Sequence, residues 1–445
     1  YEISSSDWSS DVCSSDLTPG RGLRGPARNI ITKEVDFQMK KYLALLLVLV
    51  MVLSLAACAS KTEPETTTEP ETTTETAPET TEEPAAEEPA AEEETPAEEP
   101  AADAAYSVAM ITDYGDITDQ SFNQTTYEAC KEFCEANGLQ FNYFKPAGDS
   151  DAERVAMIES AIDEGYNVVV MPGYAFAGAI KETADIYPEV TFIALDVSAG
   201  DLGDDYTLPS NLYCAVYQEE LCGYMAGYAA VKLGYTKLGF LGGMAVPAVV
   251  RYGFGYVQGV DAAAKELGIT VDLKYAYGNQ FVGDADITAA MDTWYQGGTE
   301  IVFACGGGIY TSAAEAAAKV GGKIIGVDVD QAGIIDGDYG EGMTVTSAMK
   351  GLAPTVKHLL SEVVAGNFAN YGGKIETLGL VSANPEENYV QIPTASTQFE
   401  DGKFTQADYE ALVAAMFAGD VTVSNDITAM PAVTNVTVED FGNLK

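Results

Sequence analysis

From Tyr106 onward, short apolar runs bounded by Gly, Asp or Pro alternate with stretches of helical periodicity. Continuous apolar runs of four to eight residues fit buried strands, and recurrence at three and four residues fits amphipathic helices. The runs predict strands over Ser107–Thr112, Gln140–Phe144, Asn167–Met171, Thr191–Leu195, Lys237–Leu241, Thr270–Tyr275, Ile301–Ala304, Lys323–Val327 and Thr344–Ser347. Helices are predicted over Ser121–Asn137, Ala152–Glu164, Ala175–Tyr187, Glu219–Leu233, Ala248–Leu267, Asp284–Gln296 and Tyr310–Val320. Such alternation implies an α/β fold of βαβ units, with parallel sheets covered by helices. A span of about 340 residues is enough for two lobes with separate cores. Past residue 384 the pattern weakens: Ala407–Phe417 predicts a helix, Val421 to Val438 short β or irregular segments, and packing back across a lobe is expected.

Before Tyr106 the pattern is different. Met39-Lys40-Lys41 precedes a charge-free apolar run that closes with Leu53-Ser54-Leu55-Ala56-Ala57-Cys58. This has the n-region, h-region and small-residue cleavage site of a secretory signal. The run is about fifteen residues, short of the roughly twenty that span a bilayer. The cysteine at the cut resembles a bacterial lipobox, which implies lipid on Cys58 and tethering outside the cytoplasmic membrane. Residues 1–38 lack an initiator Met and hydrophobic periodicity, and the string SSDWSSDVCSSDL resembles a translated sequencing adapter. The natural chain is therefore expected to start at Met39. Ser60 to Ala102 holds fifteen glutamates, one lysine and no aromatic or large aliphatic side chain. Such a segment cannot offset its conformational entropy by burial, so a disordered tether reaching roughly 35–40 Å is expected. The expected organisation is an extension over 1–38, a signal peptide over 39–57, lipidated Cys58 with its tether over 58–103, and a folded part over 104–445.

The tether carries about a third of the net charge of -45. What remains is still acidic, which argues against nucleic acid or an anionic membrane surface as partner. Cys130, Cys134, Cys214, Cys222 and Cys305 are an odd number without zinc-type spacing, so buried free thiols are expected.

Ligands of parallel α/β sheets bind at the carboxyl ends of strands. Asp113 follows the first predicted strand, in a loop that runs through Asp119 to Phe122 and Asn123. Asp196, Gly306-Gly307-Gly308 and Asp328 follow others, and Lys350 lies just past Thr344–Ser347. Each could be an ordinary helix cap, turn or surface charge, and Phe122 could be a core staple. Together they offer another chemistry. Phe122, and Phe281 after the Thr270–Tyr275 strand, could stack on a planar ring while the Asn123 amide pairs with its edge. Asp196 and Asp328 could hold a ribose diol, since ionised oxygens accept hydroxyl hydrogen bonds strongly. Lys350 could fix the sugar and offset the negative charge, and the glycines let backbone approach a ligand.

Five separated strings carry a family resemblance. They are Asp119-Gln120-Ser121-Phe122-Asn123-Gln124, Tyr217-Gln218-Glu219-Glu220 with Gly223-Tyr224-Met225-Ala226-Gly227, Gly239-Phe240-Leu241-Gly242-Gly243-Met244 with Pro247, Ile325-Gly326-Val327-Asp328-Val329-Asp330-Gln331, and Thr346-Ser347-Ala348-Met349-Lys350. The span from Tyr106 to about Val381 resembles the basic membrane protein family, the PnrA-like lipoproteins that serve ABC transporters of purine nucleosides as substrate-binding components. The resemblance implies a type I periplasmic-binding fold, with two Rossmann-like lobes joined by a three-segment hinge. Lobe 1 is expected over about 104–214 and 346–372, and lobe 2 over about 215–345 and later segments. It also implies that Phe122 and Phe281 sandwich the base, that Asn123 and Asp113 bond its edge, and that Asp196, Asp328 and Lys350 hold the ribose beside Gly306 to Gly308. Asp328, which directly ends its strand, is preferred to Asp330. An ABC permease and ATPase are the implied partners of a monomer, with no cofactor or metal. Two departures from the family pattern stand out: Ala245 where an aspartate is usual, and the glycine-rich Gly253-Phe254-Gly255 after Arg251 and Tyr252.

Two alternatives stay open. One is a membrane-tethered ligand sensor of the same fold. The other is a nucleoside-cleaving enzyme, for which the chain shows no nucleophile elbow or phosphate-cradling loop. Its one histidine, His358, falls in a helical run away from the strand ends.

Overall fold

The computed structural model describes residues 106–445 apart from Asp204, so Cys13, the signal, Cys58 and the tether lie outside the described residues. Strands Ser107–Ile111 (β1), Gln140–Phe144 (β2), Val168–Pro172 (β3), Thr191–Leu195 (β4) and Leu212–Tyr217 (β5) are followed by Lys237–Gly242 (β6), Val271–Tyr277 (β7), Ile301–Cys305 (β8), Lys323–Asp328 (β9) and Thr344–Lys350 (β10). Lys374–Leu378 (β11), Val390–Gln391 (β12) and Val436–Asn443 (β13) come last. The helices are Phe122–Asn137 (α1), Asp151–Asp163 (α2), Ala177–Thr183 (α3), Ala199–Leu202 (α4), Glu219–Leu233 (α5), Pro247–Leu267 (α6), Ala285–Gln296 (α7), Tyr310–Ala318 (α8), Ala332–Tyr339 (α9), Leu352–Val364 (α10) and Gln406–Ala418 (α11).

The strands form a six-stranded sheet, β11-β5-β4-β3-β1-β2, and a seven-stranded sheet, β12-β10-β9-β8-β6-β7-β13. All pairings are parallel except β10 with β12. Central strands β1, β3 and β8 are buried at every residue, as expected of parallel strands with both faces covered. The chain crosses between the sheets three times: after β5 through α5, at Gly351 between β10 and α10, and between β11 and β12. β10 stays in the second sheet to Lys350, past the lobe boundary expected near residue 346.

The first crossing helix is held by glycine. A Cβ at Gly223 or Gly227 of α5 would lie 2.2 or 2.4 Å from the Tyr252 or Tyr256 carbonyl oxygen of α6, and one at Gly255 or Gly259 of α6 would lie 2.1 Å from the Glu220 or Tyr224 carbonyl of α5. Only bare backbone on both helices permits this approach, which sets the start of α5 beside Arg251 and Tyr252.

The C-terminal region extends the second sheet. β13 pairs in parallel with β7, Asp261 of α6 accepts the backbone N–H groups of Thr434 and Asn435, and Gln258 exchanges hydrogen bonds with Ser424. Cys130, Cys134, Cys214, Cys222 and Cys305 are all buried free thiols. Among the described residues no helix is long and apolar enough to cross a membrane.

Candidate functional site

The carboxyl ends of both sheets face one cleft of about 620 Å³, within the range of small-molecule pockets. Asp113, Phe122, Asn123, Asp196, Phe281, Gly306, Gly307, Gly308, Asp328 and Lys350 all line it. Backbone strain concentrates there too. Gln120, Asp196, Asn279 and Asp328 adopt positive φ values of 55°, 60°, 57° and 64°, three of them on the cleft wall and Gln120 beside it. Such conformations cost on the order of 1–3 kcal/mol each and persist where the surroundings enforce them.

One polar group surrounds the start of α1. The Asp113 carboxylate is buried and accepts the Gly115 N–H at 2.6 Å. Burial pushes it up to about 6, against the opposing pull of the Gly115 and Tyr114 N–H groups. Asp119 accepts the N–H groups of Ser121, Asn123 and Gln124 at 2.9, 3.0 and 3.0 Å, and so caps α1 in place of Ser121. Asp119 also takes the Asn123 Nδ2 at 3.3 Å, which turns the amide and leaves the buried Asn123 Oδ1 without a hydrogen-bond partner among the described residues.

A second group surrounds Lys350 at the end of β10. Its Nζ donates to Asp196 Oδ2 at 2.6 Å and lies 3.5 Å from Glu219 Oε1 and 3.7 Å from Asp328 Oδ1. Burial opposes its charge, but Asp196, Asp328 and Glu219 outweigh it and raise the ammonium's pKa. Asp328 is also raised, by burial above all, although Lys350 and Ser121 stabilise its charged form. Ser121 Oγ donates to Asp328 Oδ2 at 2.5 Å, and Tyr252 OH to Oδ1 at 3.3 Å. Asp196 Oδ1 is buried with no hydrogen-bond partner among the described residues. Asp330 is exposed and accepts the Ala332 N–H at the start of α9, so of the two aspartates it is Asp328 that reaches the cleft.

Phe122 adjoins both groups: it precedes Asn123, and its ring lies 4.6 Å below the Lys350 ammonium. Phe281 is seated by glycine. A Cβ on Gly243 or Gly306 would come within 2.4 or 2.9 Å of its ring, and the Gly308 N–H donates to its carbonyl at 2.8 Å. The glycine run thus fits Phe281 into the wall. Across the cleft Tyr114 stacks on Phe281, with centroids 5.9 Å apart and planes inclined by 24°.

Contacts between the lobes include Ser121 with Asp328, Lys350 with Asp196, and the Gln331 Nε2 donating to the Gln120 carbonyl at 2.9 Å. Tyr114, Asp119, Ser121, Glu219, Arg251 and Tyr252 were not singled out by the sequence as site residues. Glu219 stands in a matching string, but a carboxylate opening a helix is usual at that position. Ala245 is exposed and off the cleft lining. His358, on α10, bonds the Tyr371 hydroxyl at an exposed position. Among the described residues no cluster of His, Cys, Asp and Glu is placed to hold a metal ion.

A family model described as ABC transporter substrate-binding protein PnrA-like matches residues 106–418. The chain is 29% identical to the ABC transporter nucleoside-binding protein BmpA of Lactococcus lactis, over 67% of this chain and 88% of that one. It is 26% identical to basic membrane protein B of Borreliella burgdorferi, over 66% and 82%. An ABC transporter solute-binding protein from Aeropyrum pernix shares the fold at TM-score 0.55 and 20% identity, over 72% and 88%.

Proposed function

Because the chain belongs to the PnrA-like ABC transporter substrate-binding proteins, we propose that it captures a purine nucleoside between its lobes and delivers it to a permease from a lipid anchor on Cys58. The observation that carries the ligand class is a pair of buried acceptors without partners, Asn123 Oδ1 and Asp196 Oδ1, in a cleft with Phe122 and Phe281 on its wall. Each unpaired acceptor costs roughly 1–3 kcal/mol until a donor reaches it. A nucleoside brings both kinds: N–H groups on the edge of a flat base, and hydroxyls on a sugar.

In this scheme the base lies against Phe122 and Phe281, its edge donors meet Asn123 Oδ1 and the Asp113 carboxylate, and the ribose hydroxyls bond Asp196 and Asp328. A base between two rings needs roughly 7 Å, two contacts of about 3.5 Å. The 5.9 Å between Tyr114 and Phe281 is too little, so the base sits on the Phe122 side. Binding favours closure because Asp113, Asn123 and Asp196 belong to the lobe of the six-stranded sheet and Asp328 to that of the seven-stranded sheet, so only the closed form makes all the contacts. A closed, loaded receptor is the form for a permease to recognise. The nucleoside-binding relative supports the ligand class, and the signal and cysteine supports the anchor.

Two experiments test this. Mass spectrometry of solvent-extracted native protein should release a purine nucleoside, and release of only an unrelated solute would reject the ligand class. Metabolic labelling with a radioactive fatty acid should mark the protein and fail for Cys58→Ala, and equal labelling of both would remove the anchor.

A further inference from the structure

One buried carboxylate beside the cleft has no part in the binding scheme. Glu219, the first residue of crossing helix α5, has no exposed surface and does not line the cleft. Its Oε2 accepts the Arg251 Nε at 2.6 Å, and its Oε1 lies 3.5 Å from Lys350 Nζ without a hydrogen bond. Both cations line the cleft that Glu219 does not. We propose that Glu219 is a positioning residue that ties Arg251 back from the ribose carboxylates and so keeps Asp196 Oδ1 open to a ligand hydroxyl.

The inference deepens the nucleoside-binding proposal and rests on it. Asp196 Oδ2 is filled by Lys350, whereas Oδ1 is buried and unpaired. Lys350 Nζ, 2.6 Å from Asp196 Oδ2 and 3.5 Å from Glu219 Oε1, places the carboxylate that holds Arg251 one ammonium away from Asp196. Burial works against the guanidinium's charge, but Glu219 first, then Asp196, outweigh that and raise its pKa. A guanidinium takes carboxylate oxygens in a planar fork, and a partly buried one released from its partner turns to the nearest unfilled carboxylate. With Glu219 neutralised, two unpaired buried carboxylate oxygens still attract Arg251, Glu220 Oε2 and Asp196 Oδ1, and of the two only Asp196 lines the cleft, where it is the acceptor a ribose hydroxyl needs. The glycine-close contact of α5 with α6 fixes the Glu219 and Arg251 backbones, so the pair is set by the fold.

The test compares inosine with 2′,3′-dideoxyinosine by calorimetry on the full chain. A hydrogen bond from a hydroxyl to a charged acceptor is worth about 1.5–3 kcal/mol, so the native protein should prefer inosine by about tenfold or more. Glu219→Gln should cut that preference about tenfold by weakening inosine and leaving the dideoxy compound unchanged. Adding Arg251→Gln should restore the preference, and Arg251→Gln alone should keep it. A merely structural role would weaken both ligands equally and leave their ratio intact, which overturns the proposal. Loss of the preference in Arg251→Gln alone would also overturn it, by making Arg251 the sugar contact. Should Glu219→Gln fail to fold, Glu219→Asp decides: it keeps the charge among the buried cations but shortens the tie to Arg251, so it should also lower the preference, and an unchanged ratio overturns the proposal. A native protein that binds neither compound rejects the nucleoside proposal itself. Native discrimination that no variant alters rejects only the role of Glu219.

Discussion

At the scale of single residues, the aromatic and charged positions of the cleft make separable predictions. Phe122 is partly buried on the cleft wall, so Phe122→Ala should leave the lobe folded. It should weaken purine nucleosides by roughly 5- to 150-fold, the 1–3 kcal/mol of one stacking platform. Unchanged affinity in calorimetry would remove Phe122 from the site. Asp328→Asn should weaken ribonucleosides more than free bases, and equal losses would contradict its role with the sugar. Asp113 makes a pH prediction. Burial raises its pKa from 3.8 to about 6 in the folded chain, so its contribution to stability is present below about 4 and lost as pH rises through 6. A ligand N–H donated to the ionised carboxylate offsets that loss. Inosine affinity should therefore rise between pH 5 and pH 7.5, and a flat profile would show that the base does not meet Asp113.

At the scale of elements, the crossing helix α5 carries a second buried carboxylate at its start. Glu220 is buried with Oε2 unpaired, and burial above all raises its pKa from 4.5 to about 7. A group with a raised folded pKa supports folding below its ordinary value and loses that support as pH rises through the folded one. Glu220→Gln should thus stabilise the protein at pH 8 by about 3 kcal/mol, and far less at pH 4.5. Thermal melts at both values check this, and the same gain at both would assign it to something other than charge.

The elements also show how much was legible beforehand. Buried parallel strands read plainly because both faces are covered, so β1, β3, β4 and β8 appear as continuous apolar runs. β11 is an edge strand of polar, alternating sequence and is absent from the sequence prediction, and β13, also an edge, begins inside the Val421 to Val438 span for which only short β or irregular segments were expected. β5 was missed beside the helix that follows it, and α9 is short with two internal glycines. At the cleft, side chains at strand ends were legible from the fold's topology alone. Glu219 and Arg251 were not, because their pairing depends on a helix contact that spaced glycines permit, and one sequence does not show which two helices meet.

At the scale of the whole molecule, the two sheets are tied by contacts that need both lobes in place: Ser121 with Asp328, Lys350 with Asp196, Gln331 with Gln120 and Tyr114 on Phe281. The arrangement is that of a closed receptor. Opening breaks buried charge-assisted hydrogen bonds, and a bound nucleoside adds contacts to both sides, so ligand should shift the population toward this form. Small-angle scattering of ligand-stripped protein should show a smaller radius of gyration once a purine nucleoside is added, and no change would remove lobe closure from the mechanism.

On the proposed function, the cleft selects a nucleoside with a purine base and an intact ribose. The most direct test is calorimetric titration of the ligand-stripped protein with inosine, guanosine, adenosine, cytidine and ribose. Tight binding of the purine nucleosides, weak binding of cytidine and none of ribose is the predicted result. A folded protein that binds none of them, or binds ribose as tightly as inosine, would contradict it.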